Sequence, residues 1–462
     1  MVPRLAATIL LLVSFAASLP AEVLLDAKSK PVRYAGNYSS AKVEIPPYRE
    51  KRVEFRGAWV ATVENLDFAV CKDAASFRSA YTAIVRNLQR ANFNAIIFQV
   101  RPTCDAFYPS RHAPWSRWMS GAEGRNLGDF DPLAFMVDEA HRHNLVFYAW
   151  LNPYRVTGNT KLAKGEYLKK LDAKSFAKRN PHLVLSTPTG KGNLLFLDPG
   201  EPAVVSHIAD VVGEIVDRYQ VDGIVFDDYF YPYHDIKNID AGTFAVRNPG
   251  KLSLADWRRS NVTAAIRAVR ETIDRANKKR RRKVVFGVSP FGIWANKSSL
   301  AAGSLSGGKQ SYFTQFADTR GWVREQLVDF ISPQLYWEFS HNVAAYAALT
   351  DWWCETVRGT GVRLYISQAA SRLGSGPEWK SAELVNQLRY NSGRPEVSGT
   401  VFYAYRHIFR PANPSQKAGA EKIMQLWRYP AAVPDCPTVR MTRGGAAKGN
   451  ASQQNINIRR EK

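Results

Sequence analysis

The sequence predicts an α/β fold, a (β/α)8 TIM-type barrel with long loops at its carboxyl face. Three observations carry this. From about residue 54, apolar runs of strand length alternate with longer amphipathic segments. The pairing of run and segment repeats eight times, the count of a closed barrel. The runs are almost continuously apolar, as strands covered on both faces must be. A doubly wound sheet is the competitor. It is disfavoured because no GxGxxG follows the first run and because polar residues end several strands rather than one pair.

The strands read, in order, "EFRGAWVATV" from Glu54, "NAIIFQVRP" from Asn94, "LVFYAWLNP" from Leu145, "VDGIVFDDY" from Val221, "KVVFGVSPF" from Lys283, "VDFISPQLYW" from Val328, "VRLYISQ" from Val362 and "GTVFYAY" from Gly399. Helical periodicity covers Ala75–Arg90, Pro132–His143, Pro202–Tyr219, Ser253–Ala276, Gln315–Gln326, Val343–Thr356, Ala382–Asn391 and Gln416–Trp427. Two connections are long, Thr103–Asp131 after the second strand and Val156–Gly200 after the third. In a barrel both lie over the carboxyl ends of the strands, where long loops shape a cleft.

The domain plan that follows is a leader at 1–21, a lead-in at 22–50, one barrel at 51–428 and a flexible basic tail at 429–462. "MVPRLAATILLLVSFAASLPAE" has a basic residue, a short apolar run and then small residues, the pattern of a secretory signal. No cysteine follows the run, so a lipid anchor is not expected, and no later segment reads as a transmembrane span. The expected location is periplasmic or extracellular. Of 462 residues, 45% are hydrophobic and 23% charged, which suits a globular chain. The net charge of +22 suits an anionic polymer outside the cell. Much of it is local: Lys278–Lys283 is read as a helix end that complements the dipole, and no nucleic-acid motif accompanies it.

Barrel chemistry gathers at the carboxyl ends of the strands. Those ends supply Gln99, Arg101, Asp105 and Tyr108; Trp150, Asn152, Tyr154 and Arg155; Asp227, Asp228, Tyr229 and Tyr231; Ser289 and Trp294; Gln334, Tyr336, Trp337 and Glu338; Gln368; and Tyr403 with Tyr405. There is no phosphate cradle, no GxSxG elbow and no metal-ligand spacing, so no cofactor or metal is expected. Amides and carboxylates pair with sugar hydroxyls, and flat rings stack on pyranose faces. Paired carboxylates serve glycosidic cleavage.

Dull roles compete with these. Trp59, Trp150 and Tyr403 read equally as barrel filling, and Arg101 as a structural partner of Asp105. Asp227 and Asp228 stand apart. Two adjacent carboxylates at the end of an apolar strand repel and lose solvation, whereas a loop anchor needs only one. By alternation Asp227 continues the row that points into the barrel, and Asp228 sits on the rim.

Seven ordered motifs, "RGAWVATVENLDF", "FQVRPTCDAFYPSRHAPWSRWMSG", "DPLAFMVDEAHRHNLVFYAWLNPYR", "LDPG", "VDGIVFDDYFYP", "FGVSPFGIW" and "ISPQLYW", resemble the family-10-like glycoside hydrolases of bacteria. The likeness runs from Glu54 to beyond Tyr405. It implies a glycosidase of cell-wall glycan, since the family's characterised enteric member cleaves peptidoglycan strands stripped of stem peptides. The expected substrate is therefore the N-acetylmuramic acid/N-acetylglucosamine polymer. The alternatives are another polysaccharide, or a non-catalytic glycan-binding barrel. On this reading Asp227 orients a 2-acetamido group and Asp228 is the acid. The alternative pairs one of them with Glu338 as nucleophile and acid. Substrate contacts are expected from Arg101, Asp105, Tyr108, Trp115, Trp118, Asn152, Tyr154, Arg155, Tyr229, Trp294, Gln334, Tyr336, Trp337 and Tyr403. Among these, Trp115, Trp118 and Tyr154 are the candidate stacking surfaces of the cleft that the two long loops wall. Cys104 stands where the family pattern has glycine. This implies a disulfide with Cys71, which follows a strand on the same barrel face in an oxidising compartment. Pairing of Cys354 with Cys436 is left open.

Overall fold

The computed structural model describes residues 21–234 and 236–434. Residues 1–20, which fall in the expected leader, Cys436 and most of the expected tail lie outside the described residues.

Eight parallel strands close a barrel: β1 (Phe55–Val60), β2 (Ala95–Arg101), β3 (Val146–Leu151), β4 (Gly223–Phe226), β5 (Val285–Val288), β6 (Phe330–Ile331), β7 (Arg363–Ala369) and β8 (Val397–Tyr403). Each pairs with the next in sequence, and β8 returns to β1 with Gly399 opposite Phe55. The chain is therefore a (β/α)8 barrel. The outer helices are α1 (Ala74–Arg90), α2 (Pro132–Arg142), α3 (Pro202–Arg218), α4 (Leu254–Arg280), α5 (Thr319–Arg324), α6 (Tyr346–Val357), α7 (Glu383–Ser392) and α8 (Pro414–Leu426). Their starts are written locally. Asp73 and Ser76 form a reciprocal capping box, Asp131 caps a helix with Pro132 in its first turn, and Asn413 does the same before Pro414. The basic run at 278–280 completes the last turn of α4, where positive charge faces the orphan carbonyls.

The core has two layers. Phe55, Ile97, Tyr148, Val225, Phe330, Tyr365 and Val401 fill the barrel, and a larger shell joins strands to helices. Gly287 is a space requirement: a Cβ there would come within 2.2 Å of the Phe330 ring that plugs the barrel.

The two long connections diverge. The segment after β3 carries an antiparallel sheet of Arg155–Thr160, Val184–Thr189 and Gly192–Leu197, where the sequence was read as loop. Its signal was present: "VLSTPT" and "GNLLFL" flank a two-residue Gly190–Lys191 turn, a hairpin pattern. The lead-in forms a short ribbon, Glu22–Val23 with Glu44–Ile45, and its continuation is tied to α7 by Arg389 Nε donating to Pro46 O at 3.0 Å. Residues 429–434, read as tail, run beside β1, where Glu54 N donates to Ala432 O at 2.9 Å.

The Cys71–Cys104 bridge is not formed. Both are buried free thiols, as is Cys354. Each thiol has other partners: Cys71 Sγ lies 3.5 Å from Ala69 O, and the Cys104 thiol interacts with Arg101. A Cys354–Cys436 pair falls outside the described residues.

Candidate active site

The carboxyl end of the barrel opens into a cleft of about 630 Å³. Asp227 and Asp228 are in its lining, directly after β4, with Gln99, Trp150, Arg155, Tyr229, Gln334, Tyr336 and Tyr403. Asp227 continues the inward row begun by Val225, as alternation requires. Its Oδ2 accepts from Trp150 Nε1 at 2.9 Å and from Asn152 Nδ2 at 3.2 Å. Asn152 is itself fixed, with its Oδ1 accepting from Arg155 N at 2.9 Å. Burial pushes the Asp227 carboxyl up, and the Arg155 guanidinium with the Trp150, Tyr229 and Asn152 donors pulls it back toward the anion.

Asp228 is treated differently. Burial, and then the charge of Asp227, push it up to about 7, against a hydrogen bond from Gln334. Its Oδ2 is buried and has no protein partner. The adjacent groups are thus a buried carboxyl held by three hydrogen-bond donors beside the Arg155 cation and a carboxyl that keeps its proton near neutrality. Adjacent carboxyls with different partners can divide two catalytic roles between them.

The walls are aromatic and cationic. The Arg155 guanidinium lies 3.8 Å from the centre of the Tyr229 ring. Tyr336 and Tyr403 sit 5.8 Å apart at a 30° tilt. Gln334 is aimed by donating Nε2 to Ser289 O at 2.9 Å. The hairpin tip supplies Thr189, Gly190 and Lys191, and the first strand of its sheet supplies Gly158 and Asn159. Among the described residues, no three His, Cys, Asp or Glu side chains gather to hold a metal ion.

Several expected contacts lie elsewhere. A register irregularity between Gln99 and Arg101 turns Arg101 out of the barrel, where its guanidinium donates to Asn152 O at 2.7 Å. Asp105 anchors its own loop, accepting from Thr103 N at 2.8 Å and Ser116 Oγ at 2.6 Å. Tyr108 is buried edge-on to Tyr219. Trp115 and Trp118 are half-buried against the core, outside the cleft lining. Tyr154 is buried edge-on to Phe230 beneath the sheet. Trp294 is buried and donates to Asp318 Oδ1 at 3.0 Å. Glu338 and Trp337 also lie outside the cleft lining. Asn152 reaches the site through Asp227, while Arg155, Tyr229, Gln334, Tyr336 and Tyr403 line it. Trp59 is both, packed in the barrel core and lining the cleft floor, with Nε1 donating to Ser367 Oγ at 3.1 Å. Sequence reading did not single out Glu64, Asn159, Lys191 or Tyr233. These come from segments whose approach to the cleft only the folded chain shows.

A closed parallel barrel with paired carboxyls at the floor of a ring-walled cleft on its carboxyl end has the architecture of a sugar-cleaving enzyme. The chain belongs to the glycosyl hydrolase-like 10 family, whose model matches residues 54–383. It is 35% identical over 395 residues to "Glycosyl hydrolase YngK" of Bacillus subtilis (strain 168), covering 83% of this chain and 74% of that one. It is 38% identical over 378 residues to "Glycosyl hydrolase DigH" of Escherichia coli (strain K12), covering 77% and 84%. The chain is accordingly a glycosidase.

Proposed function

We infer that this glycosidase is exported and cleaves the glycan strands of peptidoglycan, best when these are free of stem peptides. The observation that carries the reading is the division of labour between Asp227 and Asp228. A sugar with a 2-acetamido group brings its own nucleophile, and an enzyme acting on it needs one carboxylate to orient the amide and one acid for the leaving group. Asp227, held in place by its donors, accepts the amide N–H. The acetamide oxygen then attacks the anomeric carbon as the glycosidic C–O bond breaks, and the Asp228 proton passes to the departing oxygen. Water, losing a proton to the Asp228 carboxylate, opens the cyclic intermediate and restores the acetamide. Glu338, outside the cleft lining, takes no part.

The substrate assignment draws on other features. The motif likeness implies cell-wall glycan, and the amino-terminal leader reads as an export signal. The net charge of +22, with Arg155 and Lys191 in the cleft, suits the lactyl carboxylates of muramic acid. Among the described residues no helix is long and apolar enough to cross a membrane. The test is incubation with purified, amidase-treated peptidoglycan, with chromatography of the products. Release of amino-sugar disaccharides is the expected result. Intact strands, with cleavage only of other polysaccharides, overturn the substrate assignment.

A further inference from the structure

A row of aromatic rings leaves the cleft and follows the rim of the barrel from the end of β4 to the loop after β6. Tyr229, in the cleft lining, meets Tyr233 with ring centres 5.5 Å apart at 80°. Tyr233, also in the lining, meets Phe291 at 5.9 Å and 70°. Phe291 meets Trp337 at 5.4 Å and 86°. Trp337 meets His341 at 6.3 Å and 61°. Every one of the five rings is only partly buried. The last three lie beyond the cleft lining and have no part in the chemistry described above.

The outer rings are held in place. Gly292 lies against Trp337 so closely that a Cβ there would come within 2.8 Å of the indole Cζ3 and 2.5 Å of Gln334 O. The Trp337 carbonyl accepts from Gln387 Nε2 at 3.1 Å, which ties its backbone to α7. A rigid, half-exposed indole loses little freedom when it is covered, and its flat face matches the apolar face of a pyranose. Each step along the row is comparable to one sugar ring. The row is continuous with the cleft, which argues that a substrate filling the cleft continues along it.

We propose that Phe291, Trp337 and His341 form an extended set of glycan subsites, on which a strand lies along the β4-to-β6 side of the rim while one of its linkages is cut at Asp227 and Asp228. This rests on the substrate reading above. It adds that binding energy is gathered on one side of the scission point, so long strands are better substrates than short ones.

The experiment compares kcat/KM on peptide-free peptidoglycan strands of two sizes, tetrasaccharide and long, size-fractionated from amidase-treated sacculi. Wild-type enzyme is set against Trp337→Leu, which fills space without a flat ring, and Trp337→Phe, which restores one. The expected result is a loss for Trp337→Leu that is larger on long strands than on the tetrasaccharide by roughly tenfold, carried mainly by KM, with Trp337→Phe recovering most of it. Phe291→Leu serves as a second variant and is expected to show the same length dependence. Equal losses at both lengths for the two leucine variants overturn the subsites while leaving the substrate reading intact. Wild-type enzyme that cuts neither length overturns the substrate reading, and with it the assignment of this strand to the row.

Discussion

Two pairs of carboxyl groups sit at the carboxyl end of this barrel, and they differ in an instructive way. Asp227 and Asp228 follow β4, while Glu338 follows β6 and meets Glu383 at the start of α7. Asp228 is lifted to about 7 and Glu383 to about 8, in both cases chiefly by burial. Each pair also has a buried oxygen with no protein partner, Asp228 Oδ2 and Glu338 Oε2. Yet the Glu383 carboxyl is used up structurally. Its Oε1 accepts from Phe339 N at 3.0 Å and from Gln387 Nε2 at 2.9 Å, which fastens the loop after β6. A raised carboxyl therefore reports burial first. What distinguishes the first pair is that both of its members line the cleft.

The substitutions that break this comparison are ranked by size. Asp228→Asn removes the proton donor, and we expect kcat on peptide-free strands to fall by ~10³-fold or more, with the thermal transition retained. Asp227→Asn keeps the shape but loses the anion that orients the acetamide, for a loss of roughly 10²-fold or more. Near-normal turnover in both variants makes the pair a loop anchor, and the catalytic reading fails.

The pH profile is the next largest effect. Asp228 must carry its proton, so kcat/KM declines as pH rises through about 7, approaching about tenfold per unit well above that value. A profile flat to well above neutrality removes Asp228 as the acid. Smaller still is Glu338→Gln, expected to stay within about twofold of wild type because the side chain lies outside the cleft. A loss as severe as that of Asp228→Asn restores the pairing of an aspartate with Glu338 as nucleophile and acid.

How much of this was legible in the sequence follows from what each signal depends on. The eight strands and their order are local matters of apolar runs and spacing, and all eight form. The carboxyl pair was legible because strand alternation and barrel polarity together aim Asp227 inward. The aromatic residues were legible where they end a strand, as Tyr229, Tyr336 and Tyr403 do, and not on the long connections. Trp115, Trp118, Tyr108 and Tyr154 sit on long segments over the active face, as do the cleft residues. Anchors such as Asp105, taking Ser116 Oγ at 2.6 Å, fold their loop away from the cleft instead of across it. Arg101 was misread because alternation fails at a register irregularity, which no pattern in "FQVRP" announces. The Cys71–Cys104 bridge was inferred from face and compartment, neither of which measures the distance between two thiols.

The smallest effect sharpens the other half of the comparison, the pair that the chemistry does not use. Glu383 is held at about 8 in the fold against its ordinary 4.5, so the folded chain keeps a proton that the unfolded chain gives up. The sign follows: the contribution of this group to stability is fully present below about 4.5 and is lost as pH rises through about 8. Glutamine has the same shape and cannot ionise, so Glu383→Gln escapes that loss. Melting temperatures of wild type and variant are to be compared at pH 5 and at pH 8.5. The variant's standing relative to wild type should improve at the higher pH by roughly 2 °C or more, while kcat on peptide-free strands stays close to wild type. Parallel melting curves across the range would show that Glu383 does not exchange a proton on unfolding in this window. Improved stability joined to a collapse of kcat would instead tie the second pair to catalysis and erase the distinction between the two.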